Sequence, residues 1–234
     1  MTAPAATVDA VQRTVEIIRE GPDGQDEPDQ VQAPAAGRPL QVRTTLVTQL
    51  ALAPADLWPM ITDPSLLARW YGPVGGDLRE GGRFTAAGGT GGRIETVEAP
   101  HLLELSWGPE EASGPLVLRL DPTDEGTTEL ALSHTVTLDP DVFAQYGPGA
   151  WALGWDIALL GLAGFSNGWA QDPQMAVPTP TPVWLASPAG AEYVRAWSIR
   201  WAAASVAAGT DEDLARRGEA ASSAAYGATL QPQG

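Results

Sequence analysis

The sequence predicts an α+β fold: an antiparallel sheet packed against a long helix, with two short helices before most of the strands and a helical hairpin at the end. Three observations point to it. The stretch from Leu52 to Pro73, LAPADLWPMITDPSLLARWYGP, reads as a strand end, two short helices and an exit at Gly72-Pro73. Several short β-type runs then follow between glycine turns. Beyond them, an apolar stretch carries tryptophans at helical spacing.

The elements follow from local chemistry. Residues 39–52 (PLQVRTTLVTQLAL) alternate through Val42, Thr44, Leu46, Thr48 and Leu50, the period of a half-buried strand. Pro54 suits a first helical position, and Leu57, Trp58 and Ile61 give that helix an apolar face. Asp63 is a natural N-cap, with Pro64 after it, for a second helix presenting Leu66, Leu67 and Trp70. Strands are expected near 76–80, 82–87, 91–98, 101–107 and 115–121. The last, 127–136, places Thr128, Leu130, Leu132, His134 and Val136 on one face. A long helix is expected from about Asp139 to Ala170, with a break at Gly147-Pro148-Gly149 and an apolar series of Trp151, Trp155, Leu159, Leu162 and Trp169.

These elements group as a flexible acidic, Pro-rich leader (1–38), a main domain (39–171), a Pro-rich connector (172–183) and a C-terminal helical hairpin (184–234). Within the leader, Val8, Val11, Val15 and Ile18 have helical spacing, while TVEII reads equally as a strand. In the hairpin, Tyr193, Trp197 and Trp201 form an apolar stripe, Gly209 stops the first helix, and Thr210 with Asp213 resembles a capping pair.

Composition narrows the function classes. The 234-residue chain has a net charge of −16, and all 13 basic residues are arginine. A net-acidic chain without a basic run is a poor partner for nucleic acid or an anionic membrane. There is no cysteine, so thiolate metal sites and disulfides are excluded, and two histidines make a multi-histidine site an unpromising expectation. A carboxylate site for a hard cation is not excluded by counting. The N-terminus has no signal-peptide pattern, and the apolar run Trp151–Phe165 is shorter than the roughly 20 residues of a membrane span. The expectation is a cytoplasmic protein.

The order of elements, with APADLWPMITDPSLLARWYGP, DLREGGRF, GGRIETVEAPHLLELSW, GTTELALSHTV and GWDIALLGLAGF in register, resembles the helix-grip fold of the START-like (SRPBCC) superfamily. Over about 40–170 the chain is similar to its bacterial branch of activator of heat-shock protein 90 ATPase homologues. The hairpin resembles an extension of some actinobacterial members. The resemblance implies a curved sheet gripping the long helix around a cavity roofed by the two short helices. It also implies an apolar or amphipathic small-molecule ligand; a minority of members catalyse polyketide cyclisation or dehydration. The co-chaperone role belongs to eukaryotic proteins with a further N-terminal domain and is not carried over.

The candidate ligand contacts are Trp58, Trp70, Tyr71, Phe84, Trp107, His134, Trp151, Trp155, Leu159 and Leu162. Aromatic walls suit a flat apolar ligand, although the same residues also suit a core. Trp70 and Tyr71 are lid candidates, and Trp58 is expected in the core. His134 is the one catalytic candidate: on the apolar strand face it is a ligand contact, an acid/base, or a buried neutral histidine. His101, at a strand start, is expected to be exposed. Asp156 lies about 100° around the helix from Trp155, which predicts a solvated position rather than a cavity acid. Arg83 and Arg93 are expected on solvated strand faces. The glycine pairs at 88–89 and 91–92 lack the sequence that makes a phosphate loop. Small-molecule binding without cofactor or metal is the leading expectation. A cyclase or dehydratase using His134 is the runner-up. A third reading has the hairpin as a partner surface or homodimer contact.

Overall fold

The computed structural model describes residues 3–18, 39–108, 114–123 and 126–229. Eight antiparallel strands form one sheet in the order β1-β2-β8-β7-β6-β5-β4-β3. They are β1 (Val11–Ile18), β2 (Leu40–Leu50), β3 (Gly75–Gly76), β4 (Arg83–Thr85), β5 (Gly91–Glu98), β6 (Leu102–Trp107), β7 (Gly114–Pro122) and β8 (Thr128–Leu138). The helices are α1 (Ala3–Asp9), α2 (Pro54–Thr62), α3 (Pro64–Trp70), α4 (Pro140–Tyr146), α5 (Gly149–Phe165), α6 (Pro182–Leu185), α7 (Pro188–Ala207) and α8 (Glu212–Thr229). This is the helix-grip α+β architecture the sequence predicts.

β2 and β8 form the centre, in unbroken register from Leu40 opposite Leu138 to Leu50 opposite Thr128. Their expected alternation is present: Val42, Thr44, Leu46, Thr48 and Leu50 are buried, as are Thr128, Leu130, Leu132 and His134. At β3–β5 the strands pack so closely that glycine is a requirement. Gly76 has φ +122°, and a Cβ there would strike the Arg83 carbonyl; one at Gly92 would strike the Ser106 carbonyl.

The helix starts also follow the sequence. Pro54 and Pro64 take first-turn positions, and the Asp63 side chain accepts from the Ser65 amide at 2.7 Å. The expected break before the long helix falls at Gly147, φ +56°, which separates α4 from α5. α5 ends at Phe165, short of the expected Ala170. The chain turns back there, with the Ala170 amide donating to the Gln49 carbonyl and the Ala51 amide to that of Gly168. Trp169 therefore bridges Leu50 beside the sheet instead of continuing the helical series.

The N-terminal residues correct the sequence reading. Residues 3–18, expected within a flexible leader, form α1 and an edge strand; TVEII is a strand, paired with β2 from Val11 opposite Thr48 to Ile18 opposite Gln41. Residues 21–38, expected to be turn-rich, lie outside the described residues. The connector lies along α5, where Gly161 and Gly164 admit Trp70, Pro180 and Val177 closely: a Cβ on Gly161 would sit 3.4 Å from the Trp70 ring. The hairpin contributes Tyr193, Val194, Trp197 and Trp201 to the same core cluster as the sheet.

A further correction is Asp156. Its position a third of a turn from Trp155 was expected to face solvent. The back of α5 is instead covered by β1 and α7, and Asp156 is 2% exposed. One carboxylate oxygen accepts from Arg13 Nε at 2.9 Å and Nη2 at 2.7 Å, and the other from Trp201 Nε1 at 2.6 Å. Arg13 Nη1 donates to the carbonyls of Val8 and Val11. Burial pushes the Asp156 carboxyl pKa up, while Arg13 and Trp201 pull it down. A guanidinium does not deprotonate in proteins, so Arg13 needs the carboxylate as its counter-charge.

Asp156→Ala strands a buried guanidinium and is expected to cost about 3–5 kcal/mol in urea unfolding. Replacing both partners, Arg13→Met with Asp156→Leu, should cost far less than the two single changes together. A loss under about 1 kcal/mol for Asp156→Ala would contradict the clasp.

Candidate functional site: an aromatic chain ending on His134

The site starts from one row of side chains across the sheet. Register places Thr44 of β2 beside His134 of β8, then Leu116 of β7, then Leu105 of β6. Ile94 of β5 is opposite Leu105 and completes the row. All five are buried. Strand alternation aims them at α5, and two tryptophans one helical turn apart reach down to the polar pair. Trp151 Nε1 donates to Thr44 Oγ1 at 3.1 Å, and Trp155 Nε1 donates to His134 Nδ1 at 3.1 Å. Thr44 Oγ1 donates to the His134 carbonyl at 3.4 Å.

From His134 a chain of rings runs outward. His134 meets Trp155 edge to face at 5.6 Å between centroids, Trp155 meets Trp107 at 5.1 Å, and Trp107 meets Phe84 at 5.7 Å. These spacings are favourable for aromatic pairs. Phe84 lies between Gly76 and Gly92 in the strand register, so no neighbouring side chain crowds its ring in those two strands.

Thus the structure brings together Phe84, Trp107, His134, Trp151 and Trp155 from the sequence candidates. Leu159 and Leu162 are buried further along α5. Trp70 and Tyr71 pair with each other at 5.6 Å in a different place. Trp70 Nε1 donates to the Met60 carbonyl at 2.9 Å, and its ring lies against Gly161, so the roof is pinned to α5. Trp58, expected in the core, is half-buried and packs against it. Thr44 is the polar residue that the sequence reading placed on the right face but did not single out.

Rings in contact take up space where an open cavity was expected between sheet and helix. A groove of about 490 Å³ opens at Gly76, Arg83, Phe84, Thr85, Gly91, Gly92, Ser106 and Gly108. Alternation puts Arg83, Thr85 and Ser106 on the strand face opposite Phe84 and Trp107. Arg83 and Arg93 are exposed, and Arg93 Nη1 donates to the Gly81 carbonyl at 2.8 Å. His101 is also exposed, as expected, with Nδ1 2.9 Å from the Leu120 carbonyl. Among the described residues, no group of three or more His, Asp or Glu could hold a metal ion.

His134 is 5% exposed, and its Nε2 is buried without a hydrogen-bond partner. Burial pushes its pKa down to about 4, so the ring is neutral at pH 7.

Residues 51–166 match the family model described as Activator of Hsp90 ATPase homolog 1-like protein. Over those residues the chain is similar to that family. The fold is also that of CalU16 from Micromonospora echinospora. Its solution structure is 27% identical, with a TM-score of 0.56 over 85% of this chain and 97% of that one. Its crystal structure is 23% identical, with a TM-score of 0.56 over 86% and 99%. The likeness to CalU16 thus extends well beyond the family-matched domain. No curated protein matches the chain.

The buried histidine makes stability pH-dependent. The folded ring resists protonation to about pH 4, whereas the unfolded ring protonates near 6.5. Stability is therefore lost as pH falls from 6.5 towards 4, by about 2 kcal/mol at pH 5. Urea unfolding at neutral pH and pH 5 should show a fall smaller by that amount in His134→Leu; equal falls in both proteins would contradict this.

Proposed function

We propose that the protein binds an apolar or amphipathic small molecule between its sheet and α5, making contact with Phe84, Trp107, Trp155 and His134. The supporting observation is the ring chain itself, which ends on a buried histidine nitrogen with no partner. Large rigid rings supply contact area at small entropic cost, and one or two polar atoms suffice to orient a ligand. The family-matched domain and the helix-grip fold support the same reading.

A cyclase or dehydratase working through His134 is less well supported. Its Nδ1 lone pair is occupied by the Trp155 indole, and at pH 7 the ring carries no extra proton to give. A general base needs an available lone pair within reach of the proton it removes. The partner-surface reading of the hairpin is likewise weakened, because Tyr193, Trp197 and Trp201 are buried within their own chain. No described helix is long and apolar enough to cross a membrane.

Native mass spectrometry of freshly purified protein should show a co-purified apolar species, and added apolar aromatics should quench tryptophan fluorescence. Trp107→Ala removes the middle ring and should weaken such binding by roughly tenfold. Saturable binding unaffected by both Trp107→Ala and Phe84→Ala would place the ligand elsewhere.

A further inference from the structure

We infer that His134 orients the ligand as a hydrogen-bond donor through Nε2, and that the ligand is a flat apolar molecule whose inward-facing polar group is a carbonyl-type acceptor oxygen. This rests on the binding reading above and gives it a chemical direction.

The direction follows from the indole. A tryptophan N–H can only donate, so His134 Nδ1, 3.1 Å away, must present its lone pair. A neutral imidazole carries one ring proton, which therefore sits on Nε2. Protonating Nδ1 would set two N–H groups against each other at that distance. Trp155 thus holds one tautomer and removes the second nitrogen from any role as proton acceptor. Second-sphere partners set imidazole tautomers in the same way elsewhere.

The remaining Nε2–H is buried without a partner, and leaving a buried donor unmet is costly. The other buried polar side-chain atoms without partners among the described residues are Trp169 Nε1, Ser205 Oγ and Thr210 Oγ1, none in the row beneath Trp151 and Trp155. Thr44 Oγ1 already accepts from Trp151 and donates to the His134 carbonyl. The site therefore offers one unused polar atom, a donor, within aromatic and aliphatic walls. An acceptor oxygen satisfies it. A ligand N–H would oppose it, and a hydroxyl would bring a second proton needing a partner of its own.

Three tricyclic probes of nearly one shape separate these cases: fluorene has no polar group, fluorenone has a carbonyl, and carbazole has an N–H. Tryptophan quenching should show the intact protein binding fluorenone about tenfold more tightly than fluorene, with carbazole weakest. In His134→Leu, fluorenone and fluorene should bind alike. In Trp155→Phe, which keeps a ring but loses the indole N–H, the proton can occupy either nitrogen, and the preference for fluorenone over carbazole should narrow. Two-bond proton–nitrogen spectra of the unmodified protein should show the Nε2–H tautomer at His134. Equal affinity for fluorenone and fluorene would overturn the donor role while leaving small-molecule binding intact. An Nδ1–H tautomer, or a preference undiminished in both variants, would overturn it as well. Failure of all three probes to bind would remove the binding reading and the donor role together.

Discussion

The buried ion pair between Arg13 and Asp156 is the constraint on which the arrangement depends. It joins the N-terminal strand to the long helix, and the Trp201 indole brings α7 to the same carboxylate. A buried pair of this kind is a poor source of net stability, because desolvating both ions offsets their attraction. With α5 gripped by the sheet on one face, an acidic group on the other face admits only a cover that brings a cation and further donors. β1 and α7 supply them together. The helix is then enclosed on both sides, which accounts for its apolar character around most of its circumference.

That enclosure also explains what was legible in the sequence. Alternation in β2 and β8 is a short-range signal with a clean period, and it placed His134 on the buried face. Proline and aspartate at the helix starts act within a turn, so α2, α3 and the α4–α5 break could also be read locally. Asp156 was misplaced although its angle from Trp155 was read correctly. The missing information was which remote segment lies over that face, and β1 is more than a hundred residues away. TVEII was ambiguous for a similar reason: five residues fit two periods, and pairing with β2 decides between them. Trp169 fitted the helical series, but backbone pairing of the following chain with the end of β2 outweighed it.

The candidate site was legible as a set of residue types rather than as a geometry. Phe84, Trp107, Trp151, Trp155 and His134 do converge, whereas Trp70 and Tyr71 belong to the packing of α3 on α5. No sequence period distinguishes a ring that faces a ligand from one that faces another ring. Likewise, the pairing of Trp155 with His134 and Trp151 with Thr44 combines a helical repeat with a strand register. Neither element shows it alone. The same pairing makes the histidine a neutral polar fixture within an aromatic wall.

The clasp around Asp156 ties β1, α5 and α7 to the sheet as one cooperative unit. Native-state hydrogen exchange measures this directly, because each amide reports the free energy of the opening that exposes it. The β2-bonded amides of β1 and the amides of α7 around Trp197 should exchange through the same global opening as those of β8. Exchange of β1 or α7 through a separate opening of much lower free energy, with β8 still protected, would contradict it.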